Sequence, residues 1–227
     1  MAGGNAAPQQ LDGQRSMTTI HLPTVLIALV TGYAMLVLDL FLARRSLMAD
    51  RPELRTWAYG SLLLLWGFLA IPLRHWIPLG PAILLSNGLM AMGLTVYGQA
   101  LHQFVCQRNL PRATWILFGS GLLLMAWTAL RTTSYAYYAA VASFWFALLL
   151  VPTLHVLSRN AWKLEPSLRT LSVMLGVCCA ALTARGAHAL TEPGRYVDLM
   201  QPGWTQGLTL LTAFLALIGV SFGFLLA

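Results

Sequence analysis

From residue 22 to the last residue, one apolar run follows another, each broken by a short turn carrying arginine, proline or glycine. A helix needs roughly 17–25 mostly apolar residues to cross the hydrocarbon of a bilayer. Seven segments meet that need, near 22–43, 56–77, 82–106, 113–131, 134–157, 167–190 and 204–227. In hydrocarbon no water satisfies the backbone, so segments of this length must bond internally, as helices. The chain is 58% hydrophobic and only 9% charged, where a soluble domain carries roughly a quarter charged residues. Its mean hydropathy is +0.68. The expected fold class is all-α integral membrane, a bundle of seven transmembrane helices spanning 21–227. Residues 1–20 are polar and lack a basic start followed by a cleavable apolar core, so they read as a tail and not as a signal peptide.

Local signals place several helix starts. DRPE at 50–53 offers Asp50 as an N-cap with Glu53 three residues on, the spacing of a capping box. NLPR (109–112) and EPS (165–167) set a proline at the first turn, where its missing N–H costs nothing. Orientation follows from the basic residues. Arg44, Arg45, Arg51, Arg55, Arg108, Arg112, Arg159, Lys163 and Arg169, nine in all, follow segments 1, 3 and 5. The other side holds five: Arg15, Arg74, Arg131, Arg185 and Arg195. Positive-inside bias then puts the N-terminus outside and the C-terminus in the cytoplasm. The formal charge of +7 accordingly reads as topological and lipid-facing arginine, with no nucleic-acid partner.

Three of those five disfavoured cations end the outward-running helices 2, 4 and 6, at AIPLRHWIP (70–78), TALRTT (128–133) and ALTARGAHAL (181–190). Counting along a continuous helix, Arg74 lies about 25 Å from Trp57, near the outer boundary of the hydrocarbon. Arg185 reaches a similar depth from Arg169, and the apolar stretch continues beyond it. A submerged cation costs a few kcal/mol and faces a partner or a water-filled cavity. Snorkelling to lipid headgroups is the plain alternative for all three. Acidic partners on that side are few: Glu192, Asp198 and Asp12. An external carboxylate or phosphate therefore suits the arginines, since guanidinium grips either bidentately, and apolar walls suit an amphipathic ligand. Pro72 can splay the end of helix 2 and open a pocket. Asn87 on helix 3, Gln206, Thr209 and Thr212 on helix 7, and His75 and His188 beside their arginines could line the same space. The expected ligand-binding set is Arg74, Arg185, Arg131, His188, Asn87, His75 and Gln206.

Other polar residues read as structural. Asp39 in VLDLFLARR is expected to pair with Arg44 or Arg45 or to bond across helices. His102 and His155 read as interfacial, and Gln99 as a bond between helices. Gly88, Gly93, Gly98, Gly219 and Gly223 permit close helix contacts. Cys106, Cys178 and Cys179 are too few for a disulfide framework, and the adjacent pair reads as space-filling. Several chemistries are excluded. The single lysine, Lys163, lies in a loop and cannot hold retinal in helix 7. There is no HExxH, no pair of intramembrane aspartates and no glycine-rich phosphate loop before a lysine. No metal or cofactor is expected, and these residues read as non-enzymatic.

Segment 7 ends at SFGFLLA without a basic flank, whereas a helix entering the cytoplasm generally acquires one. A cytoplasmic output domain is expected beyond Ala227. LRTWAYGSLLLLWGFLAIPLRHWIP (54–78) followed by SNGLMAMGLTVYGQALHQFVCQR (86–108) resembles the N-terminal membrane region of bacterial GGDEF-type diguanylate cyclases. Leu54, Arg55, Trp57, Gly60, Leu73, Arg74, Pro78, Asn87, Phe104 and Arg108 carry that resemblance. It implies a sensor of an outside or lipid-borne signal, in the bacterial inner membrane, controlling cyclic-di-GMP synthesis by a separate domain. No GG(D/E)EF sequence occurs here, so cyclase activity is not assigned to these residues. The reading is a sensor module, acting as a homodimer, that binds a fatty-acid-like anion in an outward-facing pocket. The alternatives are a small transporter or flippase for an anionic solute, and a scaffold without ligand.

Overall fold

A computed structural model describes residues 22–47, 51–72, 76–132, 134–160 and 166–195, together with 211–212, 215–216, 218–221 and 224. Six helices follow in order: α1 (Leu22–Leu47), α2 (Pro52–Leu69), α3 (Leu79–Cys106), α4 (Arg112–Arg131), α5 (Tyr135–Asn160) and α6 (Pro166–Thr191). A single 3₁₀ turn at Pro193–Arg195 follows α6. Residues 211–212, 215–216, 218–221 and 224 are helical and belong to a seventh segment. No strand occurs among the described residues.

Leu79–Cys106, Arg112–Arg131, Tyr135–Asn160 and Leu168–Thr191 are each long and apolar enough to cross a membrane, which makes this a multi-pass membrane protein. Among the described residues, four of the seven expected spans meet the requirement on length and composition. In α1 the apolar stretch among the described residues is Leu26–Leu42. Helix α2 has 18 residues and gives its first turns to Glu53 and Arg55.

Most boundaries fall where the punctuation puts them, and α2 is the exception at both ends. Its N-cap is Arg51 (φ −122°, ψ 92°), with no side-chain cap bond. The expected cap, Asp50, lies outside the described residues. Pro52 is the reason: it occupies the first helical position and forces the residue before it into an extended conformation. At the far end α2 stops at Leu69 with Ala70 as C-cap, eight residues short of the expected boundary at 77. Pro72 has no N–H to offer the carbonyl one turn back, so the helix closes ahead of it. The helix along which the depth of Arg74 was reckoned from Trp57 ends at Leu69, and Arg74 itself lies outside the described residues. Helix α3 ends in a left-handed Gln107 (φ 53°), α4 starts after Pro111 and α6 at Pro166.

Small residues set the tightest contacts. Gly60 of α2 and Gly93 of α3 face each other so closely that a Cβ on Gly93 would stand 3.0 Å from the Gly60 carbonyl oxygen. In α6, Gly186 lies under the Phe144 ring of α5, and the Cys179 thiol sits 3.7 Å from the Ala147 carbonyl. Gly98 of α3 packs toward Thr153 of α5, and Gly121 of α4 lies directly against the Trp145 ring. Without a hydrophobic drive between helices in lipid, such close backbone approach is what holds neighbours together. Helix α3 thus touches α2, α4 and α5, while α5 carries α6 on its other side. The seventh segment fills the space between α2 and α6: Phe224 stacks on Trp57 at 4.3 Å, and Gly219 faces Met174. Gly219 therefore serves packing within the bundle. Gly223 lies outside the described residues.

Candidate functional site

Antiparallel succession brings the C-terminal ends of α4 and α6 and the N-terminal ends of α3 and α5 to one end of the bundle. Arg185 lies on α6, about 9 Å in from Thr191 at 1.5 Å per residue. Ser143 lies about 12 Å in from the start of α5, and Asn87 about 12 Å in from the start of α3. The Arg185 guanidinium donates a hydrogen bond to the Ser143 hydroxyl across 3.2 Å. Arg185 is half-buried, and among the described residues Ser143 is its single polar partner. No carboxylate neutralises it there. One bond leaves most of the guanidinium's donors uncommitted, at a depth where a cation is costly unless something anionic or wet meets it.

The other predicted residues divide clearly. Arg131, exposed at the end of α4, stacks its guanidinium 4.5 Å over the Trp127 ring one turn earlier. Asn87 is half-buried and donates its amide to the Ile83 carbonyl at 2.9 Å. His188 is half-buried one turn beyond Arg185 on α6, and Thr212 is half-buried in the seventh segment. Arg185, Asn87 and Arg131 thus occupy one end of the bundle while each takes a different partner. Arg74, His75, Gln206 and Thr209 lie outside the described residues. Asp39 is exposed on α1 and has no ion-pair or hydrogen-bond partner among the described residues. The expected interhelical bond from Asp39 is therefore not formed among them, and the Arg44 and Arg45 side chains lie outside them.

Two sequence readings are corrected near the opposite end. His102 is buried, 7% exposed, and its Nε2 has no hydrogen-bond partner among the described residues. It is a core residue of α3, not an interfacial one, because it lies one turn from Gly98 on the face turned into the bundle. His155 is exposed on α5. Gln99 does not bridge two spans. It donates to Asn109 Oδ1 at 2.7 Å and accepts the Leu110 N–H at 2.7 Å, clipping the α3–α4 turn to α3. Gln103 joins that clip and accepts from the Thr56 hydroxyl at 2.9 Å.

A second polar centre was not anticipated. Tyr33 (α1) and Tyr97 (α3) bond hydroxyl to hydroxyl. Tyr97 also meets Ser61 (α2) at 2.8 Å and, at a marginal 3.5 Å, Ser221 of the seventh segment. Ser61 in turn donates to the Trp57 carbonyl at 3.1 Å. Trp57 lies flat between Tyr97 (3.9 Å) and Phe224 (4.3 Å), fully buried, its indole N–H without a partner among the described residues. The signal was present in the sequence as hydroxyl side chains in the middle of apolar runs, where each must find a partner.

Beside Tyr97, a cavity of about 30 Å³ opens between α3, α5, α6 and the seventh segment, lined by Leu101, Leu150, Thr153, Leu175, Cys178 and Val220 among others. Its walls are almost wholly apolar. Among the described residues no group of three or more His, Cys, Asp or Glu comes together as a metal site. Comparison of the chain with family models, with curated proteins and with solved structures found no match in any of the three.

Proposed function

We propose that this protein is a membrane signal sensor that binds an amphipathic anion, with Arg185 as the headgroup anchor and Arg131, Asn87, His188, Arg74, His75 and Gln206 as further members of the site. The observation that carries this reading is Arg185, a half-buried cation inside the span of α6 whose partner is a neutral serine. A neutral hydroxyl does not offset the cost of removing a guanidinium from water, and a carboxylate or phosphate does, through short charge-assisted bonds. The resemblance of 54–78 and 86–108 to the membrane region of GGDEF-type diguanylate cyclases supports a sensing role, with the N-terminus outside, the C-terminus in the cytoplasm of a bacterial inner membrane, and a dimer as the acting unit. Binding at Arg185 moves α6 and the seventh segment relative to α1–α3, and the movement passes to a cyclic-di-GMP-forming domain beyond Ala227. Such a shift can be no larger than the ligand's difference in affinity for the two arrangements.

The test is decanoate binding to the protein in zwitterionic lipid nanodiscs, by calorimetry, for the native chain and Arg185→Gln. A charge-assisted bond is worth about 1.5–3 kcal/mol, so the variant is expected to bind at least about tenfold more weakly. Equal affinity in the two proteins overturns the headgroup assignment. Flux of the same anion into sealed liposomes would instead mark a transporter.

A further inference from the structure

Arg185 and the apolar cavity are not independent features of α6. At 3.6 residues per turn, Arg185, Cys178 and Met174 fall within about 40° of one another on that helix. Cys179 and Gly186, which face Ala147 and Phe144 of α5, lie about 100° around from Arg185. Met174 faces Gly219 of the seventh segment. The lower part of that stripe, at Met174 and Cys178, therefore faces the seventh segment, with Ala181 and Arg185 in line above it on α6. Cys178 borders the cavity, as do Leu175, Ala216 and Val220.

The axial distances are fixed by the helix. From Arg185 to Cys178 is about 10 Å, and to Leu175 about 15 Å, at 1.5 Å per residue. On α5, Leu150 and Thr153 stand at the same two intervals below Ser143, the hydroxyl that holds Arg185. An extended hydrocarbon advances about 1.25 Å per carbon, from a 1.52 Å bond at a tetrahedral angle. A chain whose head sits at Arg185 thus reaches the cavity after about 8–12 carbons. The cavity, about 30 Å³, has room for the last two or three carbons, since about 10–15 Å³ on the same measure holds one water. Its apolar walls favour a methyl end over water.

We infer that the cavity is the blind end of the Arg185 site, and that the site selects an unbranched monoanionic amphiphile of about eight to twelve carbons by chain length. This rests on the anion-binding reading of Arg185 given above. The tip of the chain then touches Ala216 and Val220 of the seventh segment and Tyr97, so occupancy is felt by the seventh segment.

The experiment is binding of the straight-chain carboxylates from hexanoate to hexadecanoate to the native chain in zwitterionic nanodiscs, with three variants. A closed end predicts an affinity maximum between octanoate and dodecanoate. Ala216→Leu, which fills the cavity, is expected to move the maximum to a shorter acid. Leu175→Ala, which enlarges it, is expected to move the maximum to a longer one, and carries the test if the filled variant does not fold. Arg185→Gln is expected to weaken every acid at least about tenfold with the maximum unmoved. Affinity that climbs steadily with chain length in all cavity variants, as free partition into lipid requires, overturns the chain-length inference while the Arg185 effect keeps the anion site. Loss of the Arg185 effect with a maximum retained overturns the anion reading instead.

Discussion

At the Tyr97 hydroxyl three other segments meet, and counting donors orders the bonds. Ser61 gives its proton to the Trp57 carbonyl, so Tyr97 donates to Ser61 and accepts from Tyr33. In that order the three hydroxyls of the Tyr33–Tyr97–Ser61 chain all have acceptors, as burial in hydrocarbon demands. Removing the hub leaves Tyr33 without an acceptor. Tyr97→Phe is expected to lower stability by about 1–3 kcal/mol, the cost of an unsatisfied buried donor, in detergent-titrated unfolding. Ser221→Ala, which deletes only the 3.5 Å contact, is expected to cost about 0.6 kcal/mol or less, the average for bonds between membrane helices. Equal losses would show that the long contact is a full bond. None of this was legible residue by residue. Tyr33, Ser61, Tyr97 and Ser221 stand far apart in the chain, and only the rotation of each helix about its axis brings them together. Arg185 was legible, because charge inside an apolar run needs no partner to be noticed. Its serine was not, since Ser143 looks like any other small residue in YAAVASFWF.

Helix boundaries came through the sequence well wherever proline or a polar turn punctuates an apolar run, as at Pro111 and Pro166. Hydropathy alone carried α2 eight residues too far, since 70–77 is as apolar as the helix before it and only the backbone chemistry of Pro72 stops the turn. The same limitation hides the packing. Glycines are visible in a sequence, but which of them a neighbour leans on is not. Gly93 and Gly119 make the contrast. A Cβ at Gly93 would meet the Gly60 carbonyl and the Leu64 amide, both at 3.0 Å and both backbone, whereas at Gly119 it meets nothing within 4 Å. Gly93→Ala is expected to destabilise the α2–α3 pair by about 1–3 kcal/mol through overpacking. Gly119→Ala is expected to stabilise α4 by about 0.5–1 kcal/mol, through the helix preference of alanine over glycine. Unfolding midpoints of the two variants, measured side by side, test both signs.

Across the whole molecule, the basic residues sort by end. Arg108 and Arg112 flank the α3–α4 turn, at the opposite end from the α4–α5 turn at Thr132 and Ser134. If positive-inside bias governs insertion, a cysteine at Asn109 reacts with an impermeant maleimide only after the membrane is opened, and one at Ser134 reacts in intact cells, in a background with the native cysteines replaced. The reverse pattern would invert the topology and place Arg185 on the cytoplasmic side. The class of the molecule was the easiest property to read, because a chain so poor in charge has one solvent open to it.

Trp57 and Phe224 are pressed face to face, one near the start of α2 and the other on the seventh segment. Any load that tugs the polypeptide past Phe224 must first peel apart two flat rings, and Tyr97 on the far side of the indole has to follow or let go. A protein stripped of its seven other tryptophans would therefore carry its own strain gauge, with emission from position 57 changing as soon as that sandwich opens.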